Sequence, residues 1–205
     1  MTEKKSIRDQ KLIYHLTPLE NLPSIAENGL LPRSKVQALE LEYTDIADQE
    51  IIASRVPYNL DQFVPFHFFA KNPFQGAVIK KHPGESFILI TIHRNFARKN
   101  NFKILDKHPL SLQPFEKPEL IDYAEGFEKI DWKAMDKRDY TDPNCKQVCM
   151  AECLSPVSLK ITDFHSIYTE TEEIQLEIYR YFRSKHIHYN DVLFFPNMFV
   201  KVSEQ

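Results

Sequence analysis

The chain has 205 residues, of which 42% are hydrophobic and 27% charged, and a net charge of −3, which together indicate one globular domain over residues 1–205. It has only 4 glycines and contains neither a G-x-G-x-x-G nor a G-x-x-x-x-G-K-[ST] loop, which excludes Rossmann-type and P-loop nucleotide binding. No apolar run approaches the roughly 20 residues of a membrane span, and residues 1–6 lack a signal-peptide core, so we expect a cytoplasmic protein with no membrane partner.

The first unit of the chain is predicted to be a strand, a tight turn and a helix. Residues 11–15 are rich in strand formers. Residues 17–20 then form a capping box in which Thr17 caps the helix. The helix is expected to end at Gly29 in a left-handed conformation.

The remaining pattern predicts an α+β fold built on a largely antiparallel sheet. Residues 33–62 are expected to be helical or irregular, and a helix is expected over residues 172–182. Residues 108–146 contain prolines and many charges, and are predicted to be a long loop with one helix near 123–127. Further strands are predicted over 64–69, 86–92, 102–105, 148–154, 188–195 and 198–202.

Charge is segregated along the chain although the total is near neutral. Residues 67–108 hold eight lysines or arginines against two acids, whereas residues 109–152 hold ten acids against six bases. A basic stretch of this kind can bind phosphates. A solvated face without a partner would explain the same pattern.

Glu152 is the first candidate for catalysis, because it interrupts the otherwise apolar segment 149–154. A carboxylate on a half-buried strand is unfavourable unless it is paired or functional. The alternative is a structural glutamate paired with a lysine or arginine.

Three other groups of residues are candidates for binding a ligand. His15 and Thr17 share one face at the end of a strand, and both can hydrogen-bond a sugar hydroxyl or a carboxamide. Arg55 can meet a pyrophosphate or be an ordinary surface charge. The rings of residues 66–69 can stack on a base or pack in the core. The three cysteines lack the C-x-x-C spacing of zinc sites, so we expect no metal.

Five short segments follow one another along the chain in a recognisable order: Tyr14-His15-Leu16-Thr17, Asn21-Leu22-Pro23-Ser24-Ile25, Gly29-Leu30, Val64-Pro65-Phe66-His67-Phe68 and Ala151-Glu152-Cys153-Leu154. In order and spacing, these segments resemble the DarT-type DNA ADP-ribosyltransferase toxins. The resemblance covers residues 11 to about 199, and Arg55 falls where the family carries an essential arginine. It implies the ADP-ribosyltransferase fold, with a split, mainly antiparallel sheet, peripheral helices and an NAD cleft.

The resemblance also implies an activity, substrates and partners. The protein would be an enzyme that transfers ADP-ribose from NAD to a base of single-stranded DNA, opposed by a macrodomain antitoxin, DarG. Glu152 would be the catalytic carboxylate, and Arg55 would assist it while contacting NAD. The implied NAD-binding residues are His15, Leu16, Thr17, Asn21, Arg55, His67 and Phe68. Candidate DNA contacts in the segment before Glu152 are Arg138, Tyr140 and Lys146.

The chain departs from the family pattern at two places. His67 stands where a tyrosine is usual, and Lys71-Asn72-Pro73-Phe74 stands where Arg-Ser-Pro-Met is frequent. Both departures lie on the nicotinamide side, so they bear on the target base more than on the reaction. Two other functions stay open: ADP-ribosyl transfer to RNA or protein, and nucleic-acid binding without catalysis.

Overall fold

Eight strands form one sheet in the computed structural model, which describes residues 5–108 and 118–201. Their spatial order is β5-β4-β6-β2-β1-β3-β7-β8. Every neighbouring pair is antiparallel except β7 and β8, which confirms the predicted α+β class with a mainly antiparallel sheet. The strands are β1 (Leu12–Pro18), β2 (Val64–His67), β3 (Phe87–His93), β4 (Lys103–Leu105), β5 (Ile121–Asp122), β6 (Glu152–Ser155), β7 (Ser166–Thr169) and β8 (Val192–Phe194).

Helices cover the sheet, and the predicted amphipathic helix near the end of the chain is confirmed as α9. Thr171 caps it by accepting a hydrogen bond from the Ile174 backbone N–H. Ile174, Ile178 and Phe182 repeat every four residues and are buried. The helices are α1 (Leu22–Asn28), α2 (Arg33–Ala38), α3 (Gln49–Arg55), α4 (Pro73–Lys81), α5 (Arg94–Lys99), α6 (Tyr123–Lys129), α7 (Trp132–Lys137), α8 (Pro143–Val148) and α9 (Glu172–Ser184).

The sheet is split between its two central strands. β1 pairs with β3 along its whole length, from Leu12 to Pro18. With β2 it shares a single register pair, Tyr14 with His67. Beyond that pair the two strands separate, and the His15 side chain bridges the gap through a 2.8 Å hydrogen bond from Nδ1–H to the Pro65 carbonyl. The split leaves an opening in the middle of the sheet.

Successive residues of the central strands fill opposite faces of the sheet, as strand geometry requires. Ile13 belongs to the larger core cluster, which α1, α6 and α9 cover. Tyr14 and Leu16 belong to a smaller cluster with Val78 of α4. This alternation decides which side chains of each strand can reach the opening.

The predicted start of the first helix is wrong. β1 continues to Pro18, and a 3-10 turn over Leu19–Asn21 precedes α1. Thr17 therefore lies within the strand and caps no helix; its hydroxyl instead accepts a 3.2 Å hydrogen bond from Asn21 Nδ2.

The predicted glycine stop of that helix is confirmed. Gly29 has φ +85°, and its N–H bonds back to the Ile25 carbonyl. A Cβ added at Gly29 would lie 2.8 Å from the Leu159 carbonyl oxygen. Both the backbone conformation and the close approach therefore favour glycine at this position.

The prediction of a long loop over residues 108–146 is wrong in the described part of that segment. The predicted helix near residues 123–127 is confirmed as α6, but β5, α7 and α8 also lie in this segment, and positions 109–117 are outside the described residues. α7 and α8 have six residues each, too few to show a periodicity, but both begin at a capping aspartate, Asp131 and Asp142. Because α8 extends to Val148, the strand expected over residues 148–154 begins only at Glu152, which is therefore its first residue.

The last strands also differ from the prediction. The strand expected over residues 188–195 is confined to β8, and residues 198–201 form none, while residue 202 is outside the described part. β7 was not predicted, because Ser166 and Thr169 reduce its apolar character although all four of its residues are buried.

Candidate active site

The split between β1 and β2 opens into a cavity of about 190 Å³. Its walls are the end of β1, residues 29–47, the end of α3, β2 and the first residue of β6. Most residues that the sequence assigned to catalysis or NAD binding line this one cavity: His15, Leu16, Thr17, Asn21, Arg55, His67 and Glu152.

Glu152 and Arg55 form an ion pair at the cavity wall. Arg55 Nη1 donates to Glu152 Oε1 at 2.8 Å, and their side chains are only 12% and 6% exposed. Glu152 Oε2 and Arg55 Nη2 are both buried, and neither has a hydrogen-bond partner among the described residues. Buried polar atoms normally find partners, so each of these groups has one oxygen or nitrogen available to a ligand.

The surroundings of Glu152 keep it ionised. Burial alone would raise the pKa of its carboxyl, but the charge and hydrogen bond of Arg55, helped by His67 and His108, hold that pKa below its ordinary value. The site therefore presents a carboxylate at neutral pH, as the stabilisation of a nearby positive charge requires.

Two histidines on either side of the split are neutral. Burial lowers the pKa of His15, and it lowers the pKa of His67 to about 4 against the opposing charge of Glu152. Each ring donates from Nδ1–H to a backbone carbonyl, that of Pro65 at 2.8 Å and that of Ala151 at 3.3 Å. This pairing leaves Nε2 of both rings as an acceptor.

Asn21 shapes the cavity through the segment that faces it. Its side chain donates to the Thr44 carbonyl at 2.9 Å and accepts from the Thr44 N–H at 2.8 Å. Arg33 and Asp45 of the same segment form an ion pair in which Arg33 Nη2 donates to Asp45 Oδ1 at 2.8 Å. Since the amide of Asn21 is fully used by protein groups, it holds this wall in place.

Phe68 is placed away from the cavity, contrary to its assignment to NAD. It follows His67 in the chain, so its side chain points to the opposite face of the sheet. There it is 1% exposed and packs edge-on against Trp132 at 5.3 Å. Phe68 is a core residue, and His67 is the ring of this pair that faces the opening.

The proposed DNA contacts lie outside the cavity. The Arg138 guanidinium stacks over the Phe69 ring at 4.7 Å, and the Tyr140 hydroxyl donates to the Lys71 carbonyl at 3.2 Å. Lys146 is exposed on α8. The segment before Glu152 therefore packs on the turn after β2, and contact between these three residues and DNA stays a prediction.

Several residues of the cavity were not singled out as site residues, and Phe74 was noted only as part of a departure from the family pattern. His108 is buried beside Glu152, and burial lowers its pKa. Phe74 packs its ring on His67 at 5.2 Å, at a position where the family frequently has methionine. Arg33 and Asp45 carry no local motif, so only their position in the fold identifies them.

Within residues 5–108 and 118–201, no cluster of three or more histidines, cysteines or acids is placed to hold a metal ion. In the same ranges, no helix is both long and apolar enough to cross a membrane.

Sequence comparison places these features in a known context. A family model described as "ssDNA thymidine ADP-ribosyltransferase, DarT" matches residues 14–200. A curated relative from Thermosipho africanus (strain H17ap60334), described as a DNA ADP-ribosyl transferase–DNA ADP-ribosyl glycohydrolase fusion protein, is 21% identical over 204 residues. The alignment covers 94% of this chain but 52% of that protein, so the chain spans about half the length of this relative.

Solved structures with the same fold come from Thermus sp. 2.9. Its DarT in complex with ADP-ribosylated ssDNA superposes with a TM-score of 0.80 at 20% identity, covering 96% of this chain and all of that one. Its DarT in complex with NAD+ superposes with a TM-score of 0.76 at 18% identity, covering 94% and 98% of the two chains. The fold similarity extends over nearly the full length of both proteins.

Proposed function

The chain belongs to the DarT family of ssDNA thymidine ADP-ribosyltransferases, and from this premise we propose that it transfers ADP-ribose from NAD to a thymine base in single-stranded DNA. The observation that carries the proposal is the convergence of Glu152, Arg55 and His15 on one cavity. These residues come from distant parts of the chain and meet at the split of the sheet.

The electrostatics of Glu152 suit the bond that breaks. The bond between nicotinamide and ribose C1′ cleaves with its electron pair leaving on nicotinamide, which gives the sugar oxocarbenium character. An ionised carboxylate in a water-poor site stabilises that charge. Glu152 Oε2 is buried and has no partner among the described residues, and we propose that it accepts a hydrogen bond from the ribose 2′-hydroxyl.

Arg55 binds the carboxylate through one terminal nitrogen, and its other terminal nitrogen has no hydrogen-bond partner among the described residues. Through Nη1 it orients Glu152, and its second terminal nitrogen, Nη2, can donate to NAD or to the incoming base. We therefore assign Arg55 two contacts, one of which is the glutamate, and not the pyrophosphate alone.

The neutral histidines bind uncharged parts of the substrate. His15 Nε2 can accept from a ribose hydroxyl or from the nicotinamide amide. His67, stacked on Phe74, provides a flat surface for the nicotinamide ring. Thr17 and Leu16 complete the β1 side of the cavity.

The acceptor follows from the chemistry of thymine. Thymine in a nucleoside has one ring N–H, at N3, and base pairing hides it, so the base must be unpaired. Bond formation between N3 and C1′ releases the N3 proton, which Glu152 can accept. The product blocks base pairing, and we propose that the protein acts as a toxin in the cytoplasm, where a DNA ADP-ribosyl glycohydrolase antitoxin of the macrodomain type removes the mark.

An oligonucleotide assay tests the proposal. The protein is incubated with NAD and single-stranded DNA containing one thymidine, and the product is weighed by mass spectrometry. We expect the mass to rise by one ADP-ribose, and we expect no change for N3-methylthymidine, for the complementary duplex or for RNA of the same sequence. Release of nicotinamide without any tagged DNA would contradict the proposal and point to another acceptor.

A further inference from the structure

A second cavity lies at the other end of β1, and the reaction described above does not use it. It is bordered by Arg8, Gln10 and Lys11, the start of α5 and the outer side of α6. Three exposed cations, Arg8, Lys11 and Arg98, stand around it. The only acid on its walls within the described residues is Glu128, which is paired with Arg8 at 2.6 Å.

The floor of this cavity carries a buried cation. Arg94 is 6% exposed, and none of the carboxylates in the described residues forms a salt bridge with it. It donates to four backbone carbonyls, those of Ile7, Arg8, Leu12 and Phe68. Carbonyl dipoles solvate its charge but do not cancel it, so a positive potential persists at the floor of the cavity.

Aromatic rings line the same cavity beside the cations. Phe127 and Tyr123 are stacked with ring centroids 5.9 Å apart, and both border the opening. The Arg94 guanidinium lies 5.8 Å from the Phe127 ring centroid. Cations that follow a backbone next to flat rings are the common elements of single-strand nucleic-acid sites.

From these contacts we infer that this cavity binds the phosphate backbone of the substrate strand, several nucleotides away from the modified base. The inference rests on the proposed function, since it takes DNA as the acceptor. It also gives a role to part of the basic stretch over residues 67–108, which supplies Arg94 and Arg98.

The distance between the two sites sets the length of DNA that is needed. Tyr14, His67 and Glu152 lie side by side across β1, β2 and β6. With about 3.3 Å per residue along a strand and about 4.8 Å between strands, the Lys11 backbone is on the order of 14 Å from that of Glu152. At about 3.4 Å per stacked nucleotide, a stacked strand that reaches the second cavity spans about four nucleotides from the target thymidine.

The test compares short and long substrates in a variant of the second cavity. Lys11 and Arg98 are replaced by alanine together. Neither side chain forms a hydrogen bond or salt bridge with any residue in the described ranges 5–108 and 118–201, so folding should be unaffected. The matched control is Lys80→Ala with Arg180→Ala, two exposed cations on α4 and α9. Binding is followed by fluorescence anisotropy at several salt concentrations, with single strands of about 4 and about 16 nucleotides centred on one thymidine.

We expect the Lys11/Arg98 variant to bind the long strand about tenfold more weakly at low salt. The slope of log affinity against log salt concentration should become shallower by about 1.4, because two phosphate contacts are lost. Binding and modification of the short strand should equal wild type, and the control should behave as wild type with both strands. An unchanged affinity for the long strand, or an equal loss with both strands, would overturn the inference. If the wild type modified neither strand, the proposed function would fail, while the anisotropy data would still decide whether the second cavity binds DNA.

Discussion

Arg55 Nη1 donates to Glu152 Oε1 at 2.8 Å across 97 residues of sequence, in a site where both side chains are largely buried. This pair has two consequences. It keeps the carboxylate charged inside the protein. It also allows both side chains to be buried, because each charge compensates the other. Substitutions at either position therefore affect stability as well as catalysis.

The effects of substituting Arg55 and Glu152 on the free energy of unfolding should be strongly coupled. Arg55→Met or Glu152→Leu alone leaves one buried charge without its partner, and we expect each to lower the free energy of unfolding by about 3–5 kcal/mol. The double variant leaves no unpaired charge, so its loss should be smaller than the sum by several kcal/mol. Urea unfolding of the four proteins measures this coupling, and additive losses would show that the pair is not formed.

Asn21 should affect the affinity for NAD more than the chemical step. Asn21→Ala removes both hydrogen bonds to the Thr44 backbone, so the wall carrying residues 41–47 loses its anchor. We expect KM for NAD to rise about tenfold with kcat within about twofold, as for the loss of an interaction made equally in the ground and transition states. Asn28→Ala on α1 removes an exposed amide outside the cavity and is the control; a large fall in kcat at Asn21 with KM unchanged would argue against a wall-holding role.

Acidification should destabilise the protein partly through His67. Burial lowers the pKa of His67 from 6.5 to about 4, so the unfolded chain binds this proton first and stability is lost as the pH falls from about 6.5 towards 4. The full shift corresponds to about 3 kcal/mol. Unfolding measured across that range should show a shallower pH dependence for His67→Gln than for wild type.

His188→Gln, at an exposed position, provides the control for this measurement. His15 and His108 also have lowered pKa values, so part of the pH dependence should remain in the His67 variant. Identical pH profiles for wild type and His67→Gln would contradict the assigned environment of His67.

Gly29 and Gly84 permit a matched comparison of backbone strain with steric contact. Their φ values are +85° and +86°, so both lie in the region of φ that favours glycine. At Gly29 the added Cβ would also lie 2.8 Å from the Leu159 carbonyl oxygen, whereas at Gly84 nothing lies within 4 Å. Gly29→Ala should therefore lower the free energy of unfolding by about 1–3 kcal/mol more than Gly84→Ala, and equal losses would rule out the close contact.

Patterns of short range predicted the elements that build the cavity. His15, Thr17 and Glu152 were identified because each breaks or ends an apolar run, and the structure places all three around one opening. The strand β3 was likewise predicted from its continuous apolar run, and the helix α9 from the helical spacing of its apolar residues.

What the sequence did not reveal depends on long-range contacts. His108 and Arg33 join the cavity only because the sheet brings distant segments together. The order of side chains on β2 was predictable in principle, since alternation places His67 and Phe68 on opposite faces, yet both were assigned to NAD. Helices of six residues, such as α7, are stabilised mainly by packing and leave little trace in the pattern.

The most direct test of the central claim is the transfer of ADP-ribose to a thymidine-containing single strand by Glu152→Gln. The glutamine carbonyl can still accept from Arg55, so Glu152→Gln should lose less stability than Glu152→Leu, and its affinity for NAD should be close to that of wild type. We predict that the rate of transfer, measured from the mass of the oligonucleotide, falls by about 10²–10³-fold because the negative charge beside the sugar is lost. Transfer at the wild-type rate by the folded, NAD-binding variant would contradict the role of Glu152 and the account built on it.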